Sequence, residues 1–161
     1  MIGRLARHNR TEVLLDAPAE ALWHILVDVT RVGEWSHECR GARWTGPDTH
    51  AAPGVRFRGT NRSGRLTWLR TCEFTVVEPP RTIGWKTLGL LGKIDRTDWR
   101  IELTPTPTGT RVVQTYDVTY VAPGFDRIYW VLVKAHRDRR DALTDDLRRL
   151  GELAVHQVAS S

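Results

Sequence analysis

Hydrophobic and polar residues alternate at the start of the chain in a pattern that predicts a β-strand followed by two short helices. Residues 9–16 alternate with the two-residue period of a half-buried strand. Pro18 suits the first turn of a helix, and the leucine, isoleucine and tryptophan residues after it give a helix over residues 18–28 one apolar face. A second short helix is predicted over residues 30–35.

Six further strands are predicted in the middle of the chain, where alternating segments are separated by turn residues. We place them at residues 43–45, 55–62, 66–78, 82–88, 95–104 and 110–121. The strand over 66–78 ends at two prolines, which cannot donate to a β-ladder. The last two strands form a hairpin about the turn at 105–109, with Trp99, Ile101 and Leu103 facing Val112, Gln114 and Tyr116.

From residue 126 to about residue 158 the pattern becomes helical, because apolar residues recur at spacings of three, four or seven. A single helix of this length would measure roughly 45 Å and needs a surface to lie across. The order of strand, two helices, six strands and long helix predicts an α+β fold, in which a curved antiparallel sheet of about seven strands wraps around the long helix. We expect residues 1–161 to form a single domain.

Composition supports one globular domain and argues against several classes of partner. The 161 residues are 40% hydrophobic and 27% charged, which is too apolar for a disordered chain. The net charge is +5, but the arginines are scattered along the strands and lie beside acidic residues near the end, so we expect no nucleic-acid partner. No apolar run reaches membrane-spanning length, which favours a cytoplasmic protein without stable membrane insertion. The sequence leaves open a monomer or a homodimer.

The sequence offers no pattern for a metal or a cofactor. Its two cysteines, Cys39 and Cys72, are too few for a disulfide framework or a four-ligand zinc site. The glycine-rich segment 88–93 lacks the Lys-Ser/Thr that follows a phosphate-binding loop. Cys39 and His37 lie two residues apart, but this spacing does not ensure contact, so we do not expect a nucleophilic cysteine.

Short motifs follow one another along nearly the whole chain in a characteristic order. They are DAPAEALW at 16–23, Asp28, GEWS at 33–36, GVRFRGTNRSG at 54–64, EPPR at 78–81, Trp99 and GTR at 109–111. In these motifs the chain resembles the START/Bet v 1-like (SRPBCC) superfamily, and in particular its bacterial polyketide cyclase/dehydrase branch. It departs from that pattern at His37, where the commoner form of the family has proline.

The resemblance implies the helix-grip fold, in which a curved sheet closes over the long helix around a cavity for a hydrophobic or aromatic small molecule. Known members include aromatase/cyclases and lipid carriers, so the fold does not by itself select an activity. The resemblance implies a cofactor-independent cyclase, aromatase or dehydratase of secondary metabolism, a lyase or isomerase. The alternatives are a non-catalytic carrier or sensor of lipids or small molecules, and a core-filled domain that makes protein contacts.

Strand parity and helix spacing select the residues expected to bind the ligand. These are Trp35, Phe57, Asn61, Trp68, Trp85, Gln114, Tyr129 and Val133. The tryptophans supply flat apolar walls for an aromatic guest, or they simply fill the core. The amides of Asn61 and Gln114 are held by backbone groups or face a ligand carbonyl, since buried amides need partners.

Three inward-facing residues are the candidate catalytic groups: Arg70, Tyr116 and His136. Arg70 would anchor a carboxylate or stabilise a forming enolate, as the family resemblance implies, unless it pairs with an acidic residue at the mouth of the sheet. Tyr116 would protonate an enolate or a leaving hydroxyl. His136 would serve as the base, or else as a hydrogen-bonded histidine of the core.

Overall fold

A seven-stranded antiparallel sheet forms the frame of the molecule in the computed structural model, which describes residues 5–133 and 138–161. Its strands are β1 (His8–Leu15), β2 (Cys39–Trp44), β3 (Arg56–Ser63), β4 (Leu66–Glu78), β5 (Thr82–Gly89), β6 (Asp95–Thr106) and β7 (Gly109–Val121). Their order in the sheet is β1-β7-β6-β5-β4-β3-β2, and every neighbouring pair is antiparallel. The predicted α+β helix-grip fold is confirmed.

Two short helical segments follow β1, as the sequence predicted. Helix α1 covers Ala19–Leu26 and begins directly after Pro18, whose extended backbone precedes the first turn. A 3₁₀ helix follows over Val29–Glu34, and the Asp28 side chain caps it by accepting a hydrogen bond from the Thr30 backbone N–H at 3.0 Å. Six of the eight α1 residues are buried, so this helix covers one end of the core.

The predicted hairpin between the last two strands forms in the predicted register. Trp99 lies opposite Tyr116, Ile101 opposite Gln114 and Leu103 opposite Val112. Trp85 of β5 lies opposite Trp99. Three large aromatic residues therefore form one row across β5, β6 and β7, with their side chains on the same face of the sheet.

The C-terminal segment corrects one prediction, since it does not form a single helix over residues 126–158. Helix α2 covers Phe125–Leu132 and ends at Val133, whose φ of −113° and ψ of 85° are not helical. Helix α3 covers Arg140–Ala159, and the side chain of Asp138 accepts a hydrogen bond from the Arg140 backbone N–H at 3.0 Å. That capping bond marks a new helix start inside a segment whose apolar spacing alone looks continuous. Leu132, one of the apolar residues that gave this segment its helical spacing, is 60% exposed.

Strand β2 is longer than the predicted strand over 43–45, because it begins at Cys39. The glycine at position 41 and an irregular register between Cys39 and Gly41 hide its beginning from the alternation pattern.

Helix α3 packs against β1 and α1 and buries Leu147, Leu150 and Ala154. The core therefore lies between the inner face of the sheet and helices α1 and α3.

Candidate functional site

A cavity of about 180 Å³ lies on the inner face of the sheet. Strands β3 to β7 supply half of its lining residues. The rest come from residues 5–6, the end of α1, the 3₁₀ helix with the residues on either side of it, the first residue of β2, α2, and α3 with the residue before it. The predicted residues that line it are Trp35, Phe57, Asn61, Trp85, Gln114 and Tyr129, together with Arg70 and Tyr116. The cavity wall is therefore built from the strand faces that the alternation of residues predicted to point inward.

Three predicted site residues lie elsewhere or outside the described chain. Val133 is buried, but it follows the end of α2 and does not line the cavity. Trp68 lies opposite Asn61 near the turn of the β3–β4 hairpin, and it does not line the cavity either. His136 lies outside the described residues.

Aromatic rings form the apolar part of the wall. The rings of Trp85 and Trp99 stack, with centroids 6.0 Å apart and planes 3° from parallel. Tyr116 continues the row, with its ring centroid 4.9 Å from that of Trp99. On the other side, the rings of Phe57 and Phe74 lie 5.0 Å apart. Such flat apolar surfaces suit an aromatic or polycyclic molecule.

Four lining residues also carry a buried polar atom without a hydrogen-bond partner among the described residues. These atoms are Trp35 Nε1, His37 Nε2, Trp99 Nε1 and Gln114 Oε1. A buried polar atom left without a partner costs about 1–3 kcal/mol of stability. The wall is thus apolar in area, but it contains both donors and an acceptor.

Arg70 stands in a buried ion pair at one end of the cavity. Its Nη1 donates to both Asp95 oxygens, at 2.7 and 2.9 Å, and its Nη2 lies 3.5 Å from the Tyr129 hydroxyl. Gly89 packs directly against this pair, and a Cβ there would overlap Arg70 Nη1 and Asp95 Oδ1. The alternative that the sequence left open, pairing with an acidic residue, describes Arg70 in the structure, and Arg70 still lines the cavity.

The electrostatics of this ion pair keep Arg70 charged and Tyr129 protonated. Burial, the largest single effect, would lower the pKa of Arg70, but the charge and hydrogen bonds of Asp95 together with the interactions with Tyr129 outweigh it and raise that pKa. Burial, together with a hydrogen bond to Asp95, raises the pKa of Tyr129 to about 12. An arginine–carboxylate ion pair and a neutral phenol therefore face this end of the cavity.

Tyr116 lies at a different point of the wall and has a different set of neighbours. Its hydroxyl donates to the Ala6 carbonyl oxygen at 3.2 Å, and its ring is buried. The guanidinium carbon of Arg139 lies 5.6 Å from the Tyr116 ring centroid and 5.7 Å from that of Trp99. Burial raises the pKa of Tyr116, and the charge of Arg139 opposes that shift. The structure thus adds Arg139, which sequence reasoning missed within a run of alternating charges.

Arg70 and Tyr116 do not meet at one point. Arg70 contacts Gly89, which pairs with Asp95 across β5 and β6, whereas Tyr116 continues the row of Trp85 and Trp99. Gly89 and Trp85 are four residues apart on β5, about 13 Å at roughly 3.3 Å per residue. The two candidate catalytic groups therefore face different ends of the cavity.

Near Tyr116 and Arg139, the half-buried His37 pairs with a carboxylate that the sequence did not connect to it. Asp146 of α3 accepts from the His37 backbone N–H at 2.8 Å, and its other oxygen lies 2.7 Å from His37 Nδ1. Asp146 is 2% exposed and also pairs with Arg149. The partners are 109 residues apart in the chain. The only sequence signal was that His37 stands where the family commonly has proline.

The two cysteines line the cavity as protonated thiols. Burial raises the pKa of Cys39 to about 11 and raises that of the more deeply buried Cys72 further. Neither is therefore poised as a nucleophile at neutral pH. Among the described residues, no cluster of three or more histidine, cysteine or acidic side chains has the geometry of a metal site.

A family model for polyketide cyclase/dehydrase and lipid transport proteins matches residues 7–152. The chain belongs to this family. It thereby falls in the polyketide cyclase/dehydrase branch of the SRPBCC superfamily, as the motifs at 16–23 and 54–64 indicated. No curated protein sequence matches the chain. Within the described part of this polyketide cyclase/dehydrase family member, no helix has the length and apolar character needed to cross a membrane.

Solved structures share the fold at low sequence identity. The ZhuI aromatase/cyclase from Streptomyces sp. R1128 is 20% identical with a TM-score of 0.70, and the match covers 94% of this chain and 95% of that one. TTHA0849 from Thermus thermophilus is 20% identical with a TM-score of 0.67, over 96% and 99% of the chains. NE0264 from Nitrosomonas europaea is 16% identical with a TM-score of 0.68, over 94% and 96%. These similarities establish the helix-grip architecture.

Proposed function

We propose that the protein binds a small aromatic or polyketide-derived molecule in the sheet cavity and catalyses its cyclisation or dehydration without a cofactor. The observation that carries this proposal is an aromatic wall that also contains a charged arginine, buried hydrogen-bonding atoms and a histidine–carboxylate pair. A carrier of simple hydrocarbon chains would not need these polar groups inside an apolar cavity, because each costs stability when buried.

The volume of the cavity limits the size of the ligand. An engineered apolar cavity of about 150 Å³ accommodates benzene, and the cavity here measures about 180 Å³. One aromatic ring with short polar substituents fits this space better than an extended poly-ketone chain. We therefore propose a ligand with one or two rings, held between Trp85, Phe57 and Gln114.

The candidate catalytic residues take distinct roles in this proposal. Arg70 anchors a carboxylate or carbonyl at its end of the cavity, with Tyr129 beside it. Tyr116 protonates an enolate or a leaving hydroxyl at the other end of the cavity, and His136 remains a proposed base. The proposed setting is a cytoplasmic, single-domain bacterial protein of secondary metabolism, either monomeric or homodimeric.

The second candidate function is a carrier that binds the same class of ligand and releases it unchanged. Two observations favour it: the Arg70 guanidinium is already paired with Asp95, and the Tyr116 hydroxyl already donates to a backbone carbonyl. Both groups would need to exchange a protein partner for a substrate atom in order to act on a ligand.

Turnover of β-hydroxyketones and short poly-β-ketones separates the two functions. The enzyme hypothesis predicts product above the uncatalysed rate, with the rate at saturating ligand reduced at least about 100-fold in Arg70→Ala and Tyr116→Phe. Product formation is followed by chromatography and binding by tryptophan fluorescence. Binding without any product above background would identify a carrier, and unchanged turnover in either variant would remove that residue from the mechanism.

A further inference from the structure

The ion pair at the Arg70 end of the cavity joins two opposite charges that are both largely buried. Arg70 Nη1 donates to both oxygens of Asp95, at 2.7 and 2.9 Å. Only 12% of the Arg70 side chain and 7% of the Asp95 side chain are exposed, and both residues line the cavity. The two charges cancel, so the wall at this end of the cavity is polar but has no net charge.

The backbone holds Asp95 in its place beside Arg70. Asp95 is the first residue of β6 and lies opposite Gly89, the last residue of β5. A Cβ at Gly89 would overlap both Arg70 Nη1 and Asp95 Oδ1, so the ion pair lies directly against the β5 backbone. A molecule that enters this end of the cavity therefore meets the guanidinium and the carboxylate together.

Tyr129 completes the polar group from α2. Its hydroxyl is hydrogen-bonded to Asp95 and lies 3.5 Å from Arg70 Nη2. A phenol has a single O–H to donate, and Asp95 accepts it here. Tyr129 thus adds no positive charge and no unused donor for an anion.

The other arginine in the described part of the cavity wall also has an acidic partner. Arg139 Nη2 lies 3.6 Å from Glu38 Oε2, and both residues line the cavity. Each arginine among the described lining residues therefore stands beside a carboxylate of the same wall. The net charge of +5 that the whole sequence carries is not reflected in these lining residues.

A carboxylate that enters such a cavity loses its hydration and needs a positive charge in return. An uncharged carbonyl loses much less and is satisfied by one hydrogen bond. We propose that Asp95 is a specificity determinant, which restricts the Arg70 end of the cavity to ligands with an uncharged polar group such as a ketone and rejects aromatic carboxylates. The inference rests on the proposed function, and it narrows the carboxylate or carbonyl expected at Arg70 to the carbonyl.

The test compares two probes of nearly the same shape, acetophenone and benzoate. They differ in whether a methyl group or a charged oxygen completes the group attached to the ring, and benzoate is ionised at neutral pH. The Kd of each probe is measured by isothermal titration calorimetry for the wild type, Asp95→Asn and Arg70→Gln. Asparagine keeps the size of Asp95 and an acceptor oxygen but removes its charge. Asp98→Asn, at an exposed position of the same strand, is the matched control.

We expect the wild type to bind acetophenone at least about tenfold more tightly than benzoate, because nothing compensates the buried charge of benzoate. In Asp95→Asn, Arg70 becomes free to form a charge-assisted hydrogen bond with benzoate, so the ratio of the two Kd values should fall at least about tenfold. Arg70→Gln should keep the preference for acetophenone, since Asp95 stays in place. Asp98→Asn should match the wild type.

Three results would overturn the inference while leaving the proposed aromatic ligand intact. The first is a wild type that binds benzoate as tightly as acetophenone, and this comparison decides the matter even if the variants do not fold. The second is an Asp95→Asn protein with the wild-type ratio. The third is an equal loss of preference in Asp95→Asn and Arg70→Gln, which would assign the selectivity to packing. Failure of the wild type to bind either probe would instead overturn the proposed function, and this inference with it.

Discussion

Burial decides the chemistry of individual side chains in this cavity. Asp95 helps to keep Arg70 charged despite its burial, whereas burial outweighs the opposing interactions of the two thiols, which stay protonated. Sequence parity correctly placed Arg70 on the inner face of the sheet. It did not identify the partner of Arg70, because Asp95 lies 25 residues away on another strand.

The raised pKa of the Cys39 thiol leads to a prediction about its rate of reaction with thiol reagents. Its pKa is raised to about 11 by burial, so the reactive thiolate is scarce at neutral pH and its fraction grows as pH rises toward that value. We expect the folded protein to react with a thiol reagent such as DTNB far more slowly than the urea-unfolded chain at pH about 8. Equal rates for the folded and unfolded chain would contradict the burial of this thiol.

The alternation of residues and the turn residues predicted most of the strands correctly. The continuous helical spacing of the C-terminal segment did not reveal the break between α2 and α3. The β6–β7 register followed from the pairing of apolar faces about one turn. The C-terminal segment kept helical spacing through Val133, where the helix in fact ends. Asp138 carried the signal of a new start, since its side chain accepts a hydrogen bond from the backbone N–H of Arg140, the first residue of α3. Among five consecutive charged residues, Asp138 is not distinguishable from a surface residue by sequence alone.

Gly109 provides a prediction at the scale of elements, because it begins β7 beside the end of β1. A Cβ at this position would overlap the carbonyl oxygen of Leu15, and a backbone atom cannot move aside as a side chain does. We expect Gly109→Ala to lower the free energy of unfolding by about 1–3 kcal/mol, measured by urea denaturation. Gly41→Ala in β2, where a Cβ has no close neighbour, is the control. Equal stability of the two variants would contradict this packing of β1 against the hairpin.

At the scale of the whole molecule, the cavity combines groups that are distant in the sequence. Strand parity predicted most of its aromatic wall, because parity depends only on local alternation. The pair of His37 with Asp146 and the contact of Arg139 with Tyr116 depend on how α3 lies across the sheet. Neither local pattern nor composition contains that information. The division of the cavity into an Arg70 end and a Tyr116 end likewise emerged only from the sheet register.

The central claim is that a small aromatic molecule binds inside this cavity, and blocking the cavity tests it most directly. Val118 lines the cavity, whereas Val155 is an exposed residue of α3. Each is replaced by phenylalanine, and the binding of a phenyl-substituted β-hydroxyketone is measured by tryptophan fluorescence titration. We expect saturable one-to-one binding for the wild type and Val155→Phe, and a Kd raised at least about tenfold for Val118→Phe, as expected when the added ring occupies ligand space. Equal affinity of all three proteins would contradict binding in the cavity.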